Sequence, residues 1–273
     1  MTTLTQLITL ATADPNVLAI GTEGASNDPS KPTDEWTDLD VTLFVREMAQ
    51  ADGNWWVHQL GTPTIVQHLV DSHLFGPATG TWESWLTRYP GTARVDLKLA
   101  PATDIAGYLA GDTLNTLVWQ RTTPTSPRPT SAASHALKRP TQVALDACVT
   151  EFYWVAGYVV KGLARGNLVY ANTLLDQNVR PELYRLLEWR ATIARDGRFD
   201  PGANHKFLWA TLTPGEQARL AASYAQTDLA ATRASLGIVL ALFQQCRAEL
   251  VDYAPTPYQD SAAAQLASWL NNS

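Results

Sequence analysis

The chain has 273 residues, 45% of them hydrophobic and 17% charged, which gives a folded protein with a sizeable core and excludes intrinsic disorder. A formal net charge of −6 argues against a duplex nucleic-acid partner, which would call for a basic stripe against its phosphates, and suits a cationic small molecule better. The two cysteines, Cys148 and Cys246, sit in separate apolar stretches and form neither a disulfide framework nor a zinc site.

Taken in chain order, Thr3 to Ala13 predicts a short helix closed by Asp14-Pro15. The start of the chain lacks the charged, continuously apolar pattern of a signal peptide. No apolar run approaches the roughly 20 residues of a membrane span, so a cytoplasmic location without a membrane partner is the expectation. Val17 to Ile20 is a brief apolar run stopped by Gly21, which suits a buried strand. A polar loop follows from Glu23 to Thr37, carrying Gly24, Asn27, Pro29 and Pro32. Leu39 to Val45 then alternates as a strand, with Val41, Leu43 and Val45 on one face and Asp38, Asp40 and Thr42 on the other.

Between Trp55 and Tyr89 the aromatic residues and X-Pro turns give no clear period. Ala93 to Leu99 is a second half-buried strand, its polar face carrying Arg94, Asp96 and Lys98. Thr103 to Ala110 fits a helix and Leu114 to Trp119 another strand. Thr122 to Pro140, rich in Pro, Ser and Thr, reads as a linker. Beyond it, amphipathic helical stretches run near 141–165, 167–177, 180–195, 205–211, 214–225, 228–252 and 258–271. The expected class is α+β: a mixed sheet with flanking helices over residues 1–140, then a helical bundle over 141–273.

Asp38 and Asp40, two apart on a strand, leave the same face, and sheet pairing could bring Asp96 alongside. Carboxylates crowded together repel unless a cation neutralises them, and Mg²⁺ favours such oxygen ligands. Taken alone, Asp-x-Asp is more often a surface or turn-capping pair. Ile20-Gly21-Thr22 could let backbone N–H groups and a hydroxyl approach a phosphate, or could be a plain turn after a strand. On the helix near 141–165, Glu151, Trp154, Tyr158, Lys161 and Arg165 form one stripe, beside an apolar stripe of Cys148, Phe152, Val155 and Val159. That stripe suits a cleft wall, or equally a solvated salt-bridged face. The histidines His58, His68, His73, His135 and His205 show no metal-ligand spacing.

Several segments resemble the aminoglycoside 6-adenylyltransferase family of nucleotidyltransferases. They are Leu18-Ala19-Ile20-Gly21-Thr22, Asp34 to Val41, Arg94 to Leu99, Glu151 to Arg165, Asn172, Val179 to Leu183, Glu188-Trp189 and Lys206-Phe207-Leu208, in the family's order along nearly the whole chain. The resemblance implies a nucleotidyltransferase-fold sheet followed by a helical bundle, and a reaction using Mg²⁺ and ATP. It implies metal binding by Asp38, Asp40 and Asp96, a general base at Glu151, and triphosphate contacts from Gly21, Thr22, Lys161 and Arg165. The partners it implies are a nucleoside triphosphate and a hydroxylated, cationic small molecule, handled by a monomer or dimer. The chain departs from the family in three places, one of them a loop from Gly21 to Asp38 that is a few residues longer than usual. The usual Gly-Ser-Arg reads Gly21-Thr22-Glu23, which keeps the hydroxyl and loses the cation, and the usual Asp-Lys-Asp reads Trp119-Gln120-Arg121. Two other readings stay open: a relative that binds a nucleotide or small ligand without transfer, and one that modifies a protein side chain.

Overall fold

The computed structural model describes residues 3–70, 81–123, 126–250 and 259–272; His73 lies outside them. The chain divides into two compact units, Met1–Ser134 and His135–Ser273.

The first unit is built on strands β1 (Val17–Glu23), β2 (Leu39–Val45), β3 (Ile65–Val70), β4 (Glu83–Arg88), β5 (Arg94–Pro101) and β6 (Thr116–Gln120). They form one mixed sheet in the order β3-β4-β5-β2-β1-β6, in which β2 and β5 run parallel and every other pair is antiparallel. Strand alternation gives this sheet two unlike faces. One face sends Ile20, Val41, Leu43, Val45, Val95, Leu97 and Leu99 into a core against Leu7 and Ala11 of helix α1 (Thr3–Ala13) and Trp56 and Val57 of helix α2 (Gly53–Gln59). The expected first helix and the strand over 39–45 appear with the expected bounds, and Val17–Ile20 extends to Glu23.

The opposite face changes character along the strands. Its inner end is a small apolar cluster of Ala19, Phe44 and Ala100 with Leu117, covered by Tyr108 of helix α3 (Ile105–Gly111). Further along the same strands the residues turn polar, and there the carboxylates stand. β3, β4 and α2 fall in the region with no clear period. β3 is an edge strand with exposed residues on both faces, so burial imposes no alternation on it. α2 is a two-turn helix started by Asp52, whose carboxylate accepts from Trp55 N.

The second unit is helical: α4 (Gln142–Ala164), α5 (Leu168–Leu174), α6 (Arg180–Ala194), α7 (Pro214–Ala222), α8 (Leu229–Glu249) and α9 (Gln259–Asn272), with a π turn at Leu175–Val179 joining α5 to α6. α4 and α8 are long and apolar enough to cross a bilayer by length and composition alone, but 50% and 44% of their apolar windows are buried within the protein. Cys148, Phe152, Val155 and Val159 of α4 share one apolar core with Val239, Leu242, Phe243 and Cys246 of α8, with the Phe152 and Phe243 rings stacked 3.6 Å apart. The stretch 205–211, expected as a helix, instead holds two single 3₁₀ turns at 203–205 and 209–211. Asn204 and His205 both take left-handed backbone angles, φ 54° and 61°, and two such residues in a row cannot start a helix. Glu188 fixes the bend by accepting from His205 Nδ1 at 2.6 Å.

Phe152 is fully buried and stacked, so Phe152→Ala opens a cavity that the neighbouring helices close only in part. The expected loss is about 3–5 kcal/mol, read by urea denaturation of the variant. A loss below about 1 kcal/mol would show that the stacked pair does not organise this core.

Candidate active site

The polar end of the sheet is built in rows by strand register. Glu23 of β1 stands opposite Asp40 of β2, and Asp40 opposite Asp96 of β5. One row inward stand Gly21, Thr42, Lys98 and Ser84. Since paired residues share a face, four strands deliver carboxylates, hydroxyls and an ammonium to one patch. Asp38 stands just before β2, two residues from Asp40 and on its side of the strand.

Two built-in cations organise the patch. Arg94 spans its outer edge, donating from Nε to Asp96 Oδ1 (3.1 Å), from Nη2 to Asp96 Oδ2 (2.6 Å) and from Nη1 to Asp38 Oδ2 (2.8 Å). Lys98 lies on the inner side, its Nζ paired with Glu23 Oε1, and both side chains are buried. Thr42 Oγ1 donates to the same Glu23 carboxylate, 3.2 Å from each oxygen.

With all four carboxylates ionised, the two cations would leave two negative charges uncompensated. The imbalance falls on Asp40, whose carboxyl is pushed up to about 7. Burial is the largest cause; Lys98 opposes it, while Asp96, Glu23 and Asp38 add to it. Burial also raises the Asp96 carboxyl, against the pull of its bonds to Arg94. An all-oxygen donor set that gains a surplus of negative charge as Asp40 gives up its proton fits a hard divalent cation in chemistry. Among the described residues no three acidic, histidine or cysteine side chains stand as a ready-made cage, and Asp38 and Asp96 both accept from Arg94.

The glycines divide the work differently from the sequence expectation. Gly21 makes room for packing: a Cβ there would come within 2.7 Å of Tyr108 Oη, which donates to Thr22 O at 2.8 Å. The Thr22 hydroxyl bonds the Asn27 side chain, and Thr22 pairs with Val41, on the other side of the strand from the carboxylates. The glycine that meets the acidic patch is Gly24. It takes φ +71°, and a Cβ there would run into Asp40 Oδ2. Together with Arg94 and the Glu23–Lys98 pair, it is a site residue that sequence reasoning passed over. Strand alternation puts Arg94 and Lys98 on the face of Asp96, but not the pairing of Arg94 with Asp38 or of Lys98 with Glu23.

In the second unit, Glu151, Lys161 and Arg165 lie at the surface of α4 and its C-cap. Trp154 is 65% exposed, its ring meets Tyr158 edge-on at 6.1 Å, and Lys161 Nζ lies 5.8 Å above the Tyr158 ring. The stripe expected from spacing is thus present and faces outward, beside the buried Cys148, Phe152, Val155 and Val159. Glu182 of α6 is buried and paired with Arg185 at 2.8 Å. Burial holds its carboxyl above the ordinary value; Cys148 and Arg185 oppose the rise and Glu151 adds a like charge.

Comparison with known proteins finds the family model described as Streptomycin adenylyltransferase matched over residues 1–273. Aminoglycoside 6-adenylyltransferase of Bacillus subtilis (strain 168) is 28% identical over 241 residues, covering 85% of this chain and 83% of the relative. That of Campylobacter jejuni is 29% identical over 247 residues, covering 89% and 85%. Among solved structures, an aminoglycoside 6-adenyltransferase from Bacillus subtilis aligns over 98% of this chain and 96% of its own, with 23% identity and a TM-score of 0.49.

The displaced Asp40 carboxyl has a thermodynamic consequence. Its ordinary value is 3.8 and its folded value about 7, so between those limits the folded state binds more protons than the unfolded one. The contribution of Asp40 to stability therefore falls as pH rises from about 4 through 7. With EDTA present, Asp40→Asn is expected to be more stable than the parent by about 1–3 kcal/mol at pH 8, the gap shrinking steadily towards pH 4. Denaturant titrations at pH 5 and pH 8 measure it, and a variant less stable than the parent at pH 8 would refute the charge crowding.

Proposed function

The chain belongs to the streptomycin adenylyltransferase family of nucleotidyltransferases, and we propose that it moves AMP from ATP to a hydroxyl of an aminoglycoside-like, cationic small molecule in the cytoplasm. The observation that carries this reading is the row of Asp40 and Asp96 on the parallel β2–β5 pair, with Asp38 beside it and a surplus of negative charge. Asp38, Asp40 and Asp96 would hold Mg²⁺, which when bound neutralises charge on the phosphates and on the oxygens exchanging at phosphorus. The acceptor oxygen attacks the α-phosphorus, the bond from that phosphorus to the pyrophosphate oxygen breaks, and the hydroxyl proton passes to Glu151 Oε. Lys161 and Arg165 supply charge to the triphosphate. Ten residues of helix separate Glu151 from Lys161, about 15 Å along the axis, so the two serve different ends of a bound substrate.

Several local features suit these roles. The Glu151 side chain projects from an outward face of α4, where a substrate hydroxyl can reach it. The cation–π contact with Tyr158 steadies the Lys161 ammonium. The acidic character of the sheet patch favours a polycationic acceptor over an anionic one.

Pyrophosphate release from ATP and Mg²⁺ across a panel of aminoglycosides tests the reading directly. Turnover with at least one acceptor is expected, and Asp40→Asn should abolish it. Glu151→Gln should lower kcat about 10²–10⁴-fold and leave the KM for ATP within about threefold. Ligand-dependent thermal stabilisation without any product would mark the chain as a binding-only relative. The engagement of Asp38 and Asp96 by Arg94 is the observation that favours that second reading.

A further inference from the structure

The Glu23–Lys98 pair is the feature of the sheet that packing does not explain. Both side chains are buried, and burying an ion pair gains less stability than a well-packed apolar pair of similar volume. An apolar pair would simply extend the adjoining cluster of Ala19, Phe44 and Ala100, one row further in. What the pair does instead is electrostatic. Glu23 stands opposite Asp40, and Lys98 lies one row inward on the strand that carries Asp96. The Glu23 carboxylate is pinned by Thr42 Oγ1, so the ammonium it pairs with is fixed in position. Register places Lys98 diagonal to Asp40 across the β2–β5 pair and two residues from Asp96 on the same face, so its charge acts on both carboxylates.

We propose that Lys98 is a positioning residue of the nucleotidyl-transfer site: an internal counter-cation, held by Glu23, that offsets the acidic patch and thereby sets how tightly a divalent ion is bound. This rests on the proposed function above, and it adds a sign that a structural role lacks. A residue that merely held the fold would, when removed, weaken ion binding. A counter-cation competes with the ion for the same carboxylates, so its removal tightens binding.

Mn²⁺ binding to the full-length protein tests this, with free ion followed by its electron paramagnetic resonance signal and folding checked by circular dichroism. Lys98→Met should bind Mn²⁺ about tenfold or more tightly than the parent, and Glu23→Gln about tenfold more weakly, as expected for one charge added or removed a few ångströms away. Lys98→Arg, which keeps the charge, should stay near the parent value. The double variant Glu23→Gln/Lys98→Met removes both charges and should return to within about threefold of the parent. If Lys98→Met does not fold, the comparison of Glu23→Gln with the double variant decides, since the double must recover the affinity that Glu23→Gln loses. Binding weakened by Lys98→Met, or a double variant no tighter than Glu23→Gln, overturns the counter-cation role while leaving Mn²⁺-dependent transfer intact. A parent protein that binds no Mn²⁺ at millimolar concentration overturns the divalent-ion reading of the site, and this inference with it.

Discussion

Parallel pairing of β2 with β5 sets the Asp40 carboxylate against that of Asp96, and the antiparallel pairing of β1 adds Glu23 on the other side. Neighbouring positions on one face of a sheet lie only about 5 Å apart, so like charges placed there repel strongly and cannot move away without breaking the ladder. Much of the polar chemistry in the first unit answers that repulsion. Arg94 closes the outer edge with three hydrogen bonds, and Lys98 stands on the inner side. Neither cation is long-range decoration: each comes from β5 itself, two residues to either side of Asp96. The strand that completes the carboxylate row thus also carries its partial neutralisation.

The same face has to end somewhere, and how it ends fixes the geometry. Two residues beyond the row of Thr42 and Lys98, the strands carry Phe44 and Ala100, and α3 lays Tyr108 across them. Tyr108 can reach the backbone of β1 only because Gly21 has no side chain, and its hydroxyl then bonds Thr22 O. Burial pushes the Tyr108 hydroxyl upward, so it stays a neutral donor beside Glu23. The boundary between apolar cover and charged patch is therefore one residue pair wide. Gly24 closes the opposite side, where a left-handed backbone turn brings the chain against Asp40.

Much of this was legible in the sequence wherever structure is local. The alternation in Leu39–Val45 was enough to put Asp38 and Asp40 on the face away from Val41 and Leu43, and the polar positions of β5 were equally plain. Non-local facts were not legible. That Asp40 opposes Asp96, in place of Leu86 or Lys98, is a matter of register between strands more than fifty residues apart. The bond from Arg94 to Asp38 follows from that register and from nothing near it in sequence. Gly21 stands out in sequence because it ends an apolar run, while Gly24, which meets the carboxylate, reads there only as a loop residue. β3 escaped because an exposed edge strand has no buried side to pattern it. The stretch 205–211 misled because helical spacing says nothing about two successive left-handed residues.

The two units hold their candidate residues by different physical means. In the first, short aspartate side chains sit on strands whose register is fixed by ladder hydrogen bonds, which places charges with little freedom. In the second, Glu151, Lys161 and Arg165 are long side chains on the outward side of α4, and what is fixed is the helix. Phe152 and Val159 bury on one side and stack or pack against α8, which sets the rotation of α4 about its axis. Gly162 reinforces this, since a Cβ there would meet the Tyr170 ring at 2.8 Å and push α5 away. With that rotation set, Glu151, Trp154, Tyr158 and Lys161 must share the remaining face, whatever their individual side-chain freedom. A row of short acids on paired strands fixes its charges in place. Long side chains on a fixed helix instead keep rotamer freedom of their own.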